Sequence, residues 1–245
     1  MSATSRLIVG IAGVPASGKS TLSQMLADRA NALLCGTPDQ DAVVLIGLDG
    51  WHLTRAQLDQ FPDAKLAHDR RGAHWTFDGQ SYVEFVRELR VPLNILTSAA
   101  GGREAVIYAP SFSHELKDPT PGAVSIQPKH RIVIIEGLYT FLDIEPWAEA
   151  AQSLDERWWV EIGENEAKAR LVKRHVISGV AKDLQEAEWR ATENDAPSTS
   201  SSLFSESSST ALFAADGRFI KENMLQPTRI IYSVNDPVLK SPNLS

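Results

Sequence analysis

The segment Gly13-Val14-Pro15-Ala16-Ser17-Gly18-Lys19-Ser20 constrains the fold more than any other part of this 245-residue chain. It fits the pattern G-x-x-x-x-G-K-[ST] at every fixed position. An apolar run, Leu7–Ile11, leads into it. Ser20–Ala32 follows, with Leu22, Met25, Leu26 and Arg29 at helical spacing. Strand, glycine-rich loop and helix in that order form an anion cradle. The glycines let backbone N–H groups approach phosphate oxygens, and the dipole of the helix N-terminus adds attraction. The loop therefore predicts a triphosphate site built from Gly13, Ala16, Ser17, Gly18, Lys19, Ser20 and Thr21. Lys19 is placed to neutralise β- and γ-phosphate charge. The Ser20 hydroxyl is the expected Mg²⁺ ligand, and Thr21 falls in the first helical turn. Arg6 and the apolar residues after it resemble a short signal sequence, but a strand feeding the loop explains them better.

Three further apolar runs, Val43–Leu48, Ile132–Ile135 and Trp158–Ile162, read as buried parallel strands, and Ile230–Val234 as a further one. Enough chain for a helix separates each of the first four from the next. One such helix is Ser81–Leu89, with Asp78 as its N-cap. Strands alternating with helices predict an α/β fold with a doubly wound, mostly parallel sheet in a single domain over residues 1–245. Two acids sit where strands of such a sheet end and ligands bind: Asp49, after Val43–Leu48, and Glu136, after Ile132–Ile135. One acid can hold Mg²⁺ and the other accept the proton of an attacking hydroxyl. Spacing alone leaves these roles exchangeable.

Composition narrows the function classes. With 24 basic and 31 acidic side chains the formal net charge is −7, which argues against a bulk nucleic-acid binder. The single cysteine, Cys35, excludes an internal disulfide and points to a reducing, cytoplasmic setting. No run reaches the length of a membrane helix, so no membrane partner is expected. Ser198–Thr210 is the one compositional outlier, with eight serines and two threonines in 13 residues, and reads as a loop insertion spanning roughly 198–215.

Together these motifs resemble the phosphoribulokinase/uridine kinase group of P-loop kinases, which includes bacterial-type pantothenate kinase. The resemblance runs through Gly13–Ser20, Asp49-Gly50-Trp51-His52, Arg70–Asp78, Tyr108–His114, Ile135–Tyr139 and Arg170–His175. It implies a P-loop kinase fold with a helical lid over roughly 164–197, Asp49 as the general base and Glu136 near Mg²⁺. In the branch of this group that the chain most resembles, an Asn-Asp-x-Pro turn, here Asn194–Pro197, leads almost directly into a segment like Gly217–Ile220. In this chain Ser198–Ala215 intervenes beside the expected lid. Read by spacing, Arg170 and Arg174 share a helix face with Lys173 beside them, and cations there would stabilise transferring phosphate.

Aromatic and polar residues in the motif segments supply an acceptor pocket, with His52, Arg71, Trp75 and Tyr108 as the expected substrate-binding residues. The expected reaction is ATP-dependent phosphorylation of a small-molecule hydroxyl: a nucleoside, a sugar or a pantothenate-like compound. ATP and Mg²⁺ are the expected cofactors. A homodimer is compatible with the chain. The alternative is a P-loop ATPase acting as a regulatory or assembly factor without such an acceptor. A GTPase switch is disfavoured because no N-K-x-D segment occurs.

Overall fold

The computed structural model describes residues 5–37, 39–95, 106–113, 115–177 and 217–234, and side chains for the same set apart from 174–177. In chain order the strands are β1 (Leu7–Gly13), β2 (Val43–Gly47), β3 (Ile107–Ser113), β4 (Asp118–Ile126), β5 (Ile132–Glu136), β6 (Glu156–Glu161) and β7 (Arg229–Tyr232). Five of them form one sheet in the order β2-β5-β1-β6-β7, with every pairing parallel. All the expected strands belong to this sheet. Register brings their carboxyl ends to one edge: Ile11 and Gly47 both pair with Glu136, and Gly13 pairs with Val160.

Strand residues alternate between two buried faces, as the two-residue period of a pleated strand requires. Ile8, Ala12, Ile46, Val133, Ile135 and Trp159 share one core. Val9, Ile11, Val43, Ile134 and Val160 share the other, against helix α1 (Lys19–Leu34). The short helices α2 (Arg55–Leu58) and α3 (Ala64–Asp69) follow β2, and α4 (Gly79–Arg90) covers the first face. It buries Tyr82, Val83, Phe85, Val86 and Leu89 at helical spacing. Asp78 caps α4 as expected, accepting from the Ser81 amide at 3.0 Å. Beyond β5 come α5 (Trp147–Gln152) and α6 (Glu164–Ile177).

Four features depart from the sequence expectation, the first being the last strand, which runs Arg229–Tyr232 rather than Ile230–Val234. Leu48 is not a strand residue, because Leu48–Trp51 tighten into a 3₁₀ turn. The strand expected at Trp158–Ile162 starts two residues earlier, at Glu156. The antiparallel hairpin β3–β4 has no counterpart in the sequence expectation. It carries Pro110, Pro119 and Pro121, lies apart from the main sheet and shifts register between Ala109 and Ser111, which is where proline without its N–H is tolerated. Of the expected lid, 164–177 is helical, and the remainder with the Ser-rich insertion lies outside the described residues. No helix among the described residues is long and apolar enough to cross a membrane.

Candidate active site

The loop after β1 has the backbone its sequence requires. Ala16 and Gly18 have φ of 62° and 91°, both left-handed, and the Ser17 amide closes a turn onto the Val14 carbonyl at 3.1 Å. Left-handed residues alternating with ordinary ones turn successive N–H groups into one concavity. Gly18 is the N-cap of α1, and the Leu22 amide bonds to its carbonyl at 2.9 Å. Gly13 is a glycine for space: a Cβ there would lie 2.6 Å from Ser17 Oγ and 2.8 Å from the Val160 carbonyl oxygen. Ser17 is fully buried, and its Oγ has no hydrogen-bond partner among the described residues.

Lys19 and Ser20 open α1 facing the end of β5. Lys19 Nζ is 3.8 Å from Glu136 Oε1, and Ser20 hydrogen-bonds to the same carboxylate. Burial pushes the Glu136 carboxyl up, and the Asp49 charge pushes it the same way. Lys19 and the Ser20 hydrogen bond oppose this without cancelling it. A partly desolvated carboxylate beside a serine hydroxyl is an oxygen donor pair that fits Mg²⁺. No group of three or more His, Cys, Asp or Glu among the described residues is arranged to hold a metal. A cation here would complete its shell with phosphate oxygens and water.

Asp49 lies in the 3₁₀ turn after β2 with 57% of its side chain exposed. Its carbonyl accepts from His52 Nδ1 at 2.8 Å, which fixes the ring and puts the proton on that nitrogen. His52 packs on Phe77 and on Phe112 of β3, with centroids 3.9 and 5.0 Å away.

Arg170 reaches the loop from α6. Its guanidinium donates to Glu166 Oε1 at 2.7 Å and to Ser233 Oγ, just past β7, at 2.9 Å. It also stands 3.6 Å from where a Cβ on Gly18 would be. The expected lid cation and the phosphate loop are thus adjacent. The Arg174 side chain lies outside the described residues.

The expected acceptor residues separate. A cavity of about 600 Å³ is lined by Gly50, Trp51 and His52, by Ser81, Glu84 and Glu88 of α4, and by Tyr108, Pro110 and Pro119 of the hairpin, while Asp49 itself is not part of the lining. His52 and Tyr108 line it. Trp75 does not, and instead packs on Phe61, centroids 5.7 Å apart. Arg71 does not line it either. Its guanidinium is committed to the Lys117 carbonyl, the Leu53 carbonyl at 2.9 Å and Asp118 Oδ1 at 2.8 Å, and lies over the Phe112 ring. Sequence reasoning missed Asp118 and the prolines beside it. The one local signal was the run Asp118-Pro119-Thr120-Pro121-Gly122, dense in turn formers between two apolar runs.

A phosphate loop on β1, acids at the ends of β2 and β5 and an arginine-bearing helix beyond β6 define the class of P-loop kinases. The chain matches no protein-family profile. It is 47% identical over 148 residues to the ATP-dependent kinase-like protein notR' of Aspergillus versicolor, covering 60% of this chain and 82% of that one. It is 31% identical over 239 residues to a candidate uridine kinase of Schizosaccharomyces pombe, covering 98% and 88%. Among solved structures, a candidate fructose transport system kinase from a Silicibacter species superposes with a TM-score of 0.67 at 26% identity, covering 92% of this chain and 89% of that one. The chain belongs to the family of these ATP-dependent, uridine kinase-like P-loop proteins.

Proposed function

We propose that this protein transfers the γ-phosphoryl group of ATP to a hydroxyl of a small molecule: a nucleoside, a sugar or a pantothenate-like compound. The observation that carries the reading is Asp49. It is an exposed carboxylate on the same sheet edge as Lys19 and Glu136, and the residues that follow it in the chain, Gly50, Trp51 and His52, line a cavity. A protein that only hydrolyses ATP needs no such cavity along the segment that follows its acid.

In this reading the loop amides and Lys19 hold the triphosphate, and Arg170 meets the charge that spreads over the γ-phosphoryl oxygens. Asp49 orients the acceptor hydroxyl and takes its proton as the new O–P bond forms. The bond from the γ-phosphorus to the β-bridging oxygen breaks, and ADP leaves. Ser20 and Glu136 would hold Mg²⁺, which when bound neutralises phosphate charge. Orientation of two bound reactants contributes to the rate alongside electrostatics.

The test is a phosphotransfer screen with uridine and other nucleosides, nicotinamide riboside, fructose and other sugars, and pantothenate. It is run with ADP release measured in parallel with and without each compound. We expect transfer to one class, and a loss of about 10²–10⁴-fold in Asp49→Asn with ATP binding retained. ADP release that ignores every compound would return the protein to the ATPase class. Full transfer by Asp49→Asn would remove the base assignment.

A further inference from the structure

Asp118 lies outside the cavity, yet it joins its two walls. Its Oδ1 accepts from the Arg71 guanidinium at 2.8 Å and from the Arg55 amide, the first residue of α2, at 3.0 Å. Its Oδ2 is 3.7 Å from Arg55 Nε. Around this carboxylate the tip of the hairpin is tied down by main-chain carbonyls as well: Arg71 holds Lys117, and Arg55 donates to Leu116 at 3.4 Å. Arg71 also holds Leu53 at 2.9 Å, on the segment leading away from Asp49. Two arginines thus converge on one acid and fasten the hairpin turn to the chain between the 3₁₀ turn and α4.

What this fastening positions can be followed contact by contact. Pro119, next to Asp118, is a cavity wall and pairs with Phe112 across the hairpin. The Phe112 ring lies between the Arg71 guanidinium, 5.7 Å from its centroid, and the His52 ring. His52 in turn bonds to the Asp49 carbonyl. On the other strand side, Gly50 meets the hairpin so closely that a Cβ would lie 2.4 Å from the Pro110 carbonyl oxygen. The hairpin has no hydrogen-bonded partner in the main sheet; Ile107, Ala109 and Ile126 anchor its far end in the core, and the Asp118 cluster fastens its turn.

We infer that Asp118 is a positioning residue for the acceptor: paired with Arg71 and Arg55, it sets the distance between the hairpin wall and Asp49 without touching the substrate. This rests on the kinase reading above, and it reassigns Arg71 from a ligand of the acceptor to a member of the clamp. An acceptor hydroxyl must sit within hydrogen-bond reach of the base, and a small displacement of one wall costs that alignment. The hydrogen bonds and ion pairs of Asp118 run to Arg55 and Arg71 and to no residue of the phosphate loop, so the effect is expected at one substrate.

The experiment compares wild type with Asp118→Asn, which keeps a side-chain oxygen for Arg71 and the Arg55 amide, and Asp118→Ala, which keeps nothing. KM for ATP and for the acceptor are measured separately, the acceptor being the compound of the above screen with the fastest transfer, starting with uridine. Expected for Asp118→Ala is a rise of about tenfold in acceptor KM, with ATP KM within about twofold of wild type, and substantial recovery in Asp118→Asn. Hydrogen exchange should accelerate in residues 107–113 and 118–126 and stay unchanged in β1, β5 and the phosphate loop. An unchanged acceptor KM in Asp118→Ala, or equal rises for both substrates, overturns the positioning role while leaving the kinase reading intact. A wild type that transfers to none of the compounds removes both.

Discussion

Close packing at single residues decides how this site is held. Gly50 has Pro110 O at 2.4 Å and Ser111 N at 3.1 Å from where its Cβ would go, and both are backbone atoms that cannot step aside. Gly50→Ala should cost about 1–3 kcal/mol in urea unfolding, the range for overpacking a tight site. A variant as stable as wild type would show that the hairpin yields freely. Glu136 gives the opposite case. Its carboxyl is pushed up by burial despite Lys19 nearby, so ionisation at neutral pH costs the folded state stability. Glu136→Gln removes that cost with nearly the same shape. We expect its nucleotide-free melting temperature at pH 7 to equal or exceed wild type while Mg-dependent ATP turnover is lost. A fall of several degrees would mean that the Lys19 pairing outweighs desolvation.

Between elements, the contact to probe joins α6 to the end of β7 through Arg170 and Ser233. Ser233→Ala removes one partner of a charged donor, a loss of about 1.5 kcal/mol or roughly tenfold, which should appear in kcat/KM for ATP. No change there would mean that the guanidinium is held without Ser233. Elements also mark the border of what sequence reveals. β1, β2, β5 and β6 were legible because strands buried on both faces are continuous apolar runs. α4 was legible from its cap and periodicity. The phosphate half of the site was legible because one contiguous segment supplies it. The hairpin was hidden, because its strands are interrupted by proline, and its placement depends on partners elsewhere in the chain. Arg71 illustrates the limit. Its residue type suggested a ligand, but its role is set by Asp118, 47 residues away.

At the scale of the molecule, an acidic chain with net charge −7 has to present cations to a triphosphate. It does so by pairing two of them with carboxylates, Lys19 with Glu136 and Arg170 with Glu166. The same economy governs how the fold responds to acid. His74, on the turn before α4, stacks on Phe219 of the helical stretch 217–222, centroids 4.9 Å apart, and so ties the acceptor side of the chain to the segment preceding β7. Burial pushes its imidazole below the ordinary histidine value, so the folded protein holds it neutral where the unfolded chain would protonate it. The stabilisation this contributes is complete above the unfolded pKa of about 6.5 and is lost as pH falls toward the lowered folded value. His130 is lowered as well, by burial first and then by Lys129 and Arg6, and acts in the same direction. Melting temperature should therefore fall as pH is taken from about 7.5 to about 5.5, and the slope should be shallower in His74→Phe, which keeps the stack and cannot take up a proton. If His74→Phe shows the full wild-type slope, the acid sensitivity belongs to other groups and the ring at position 74 serves packing alone.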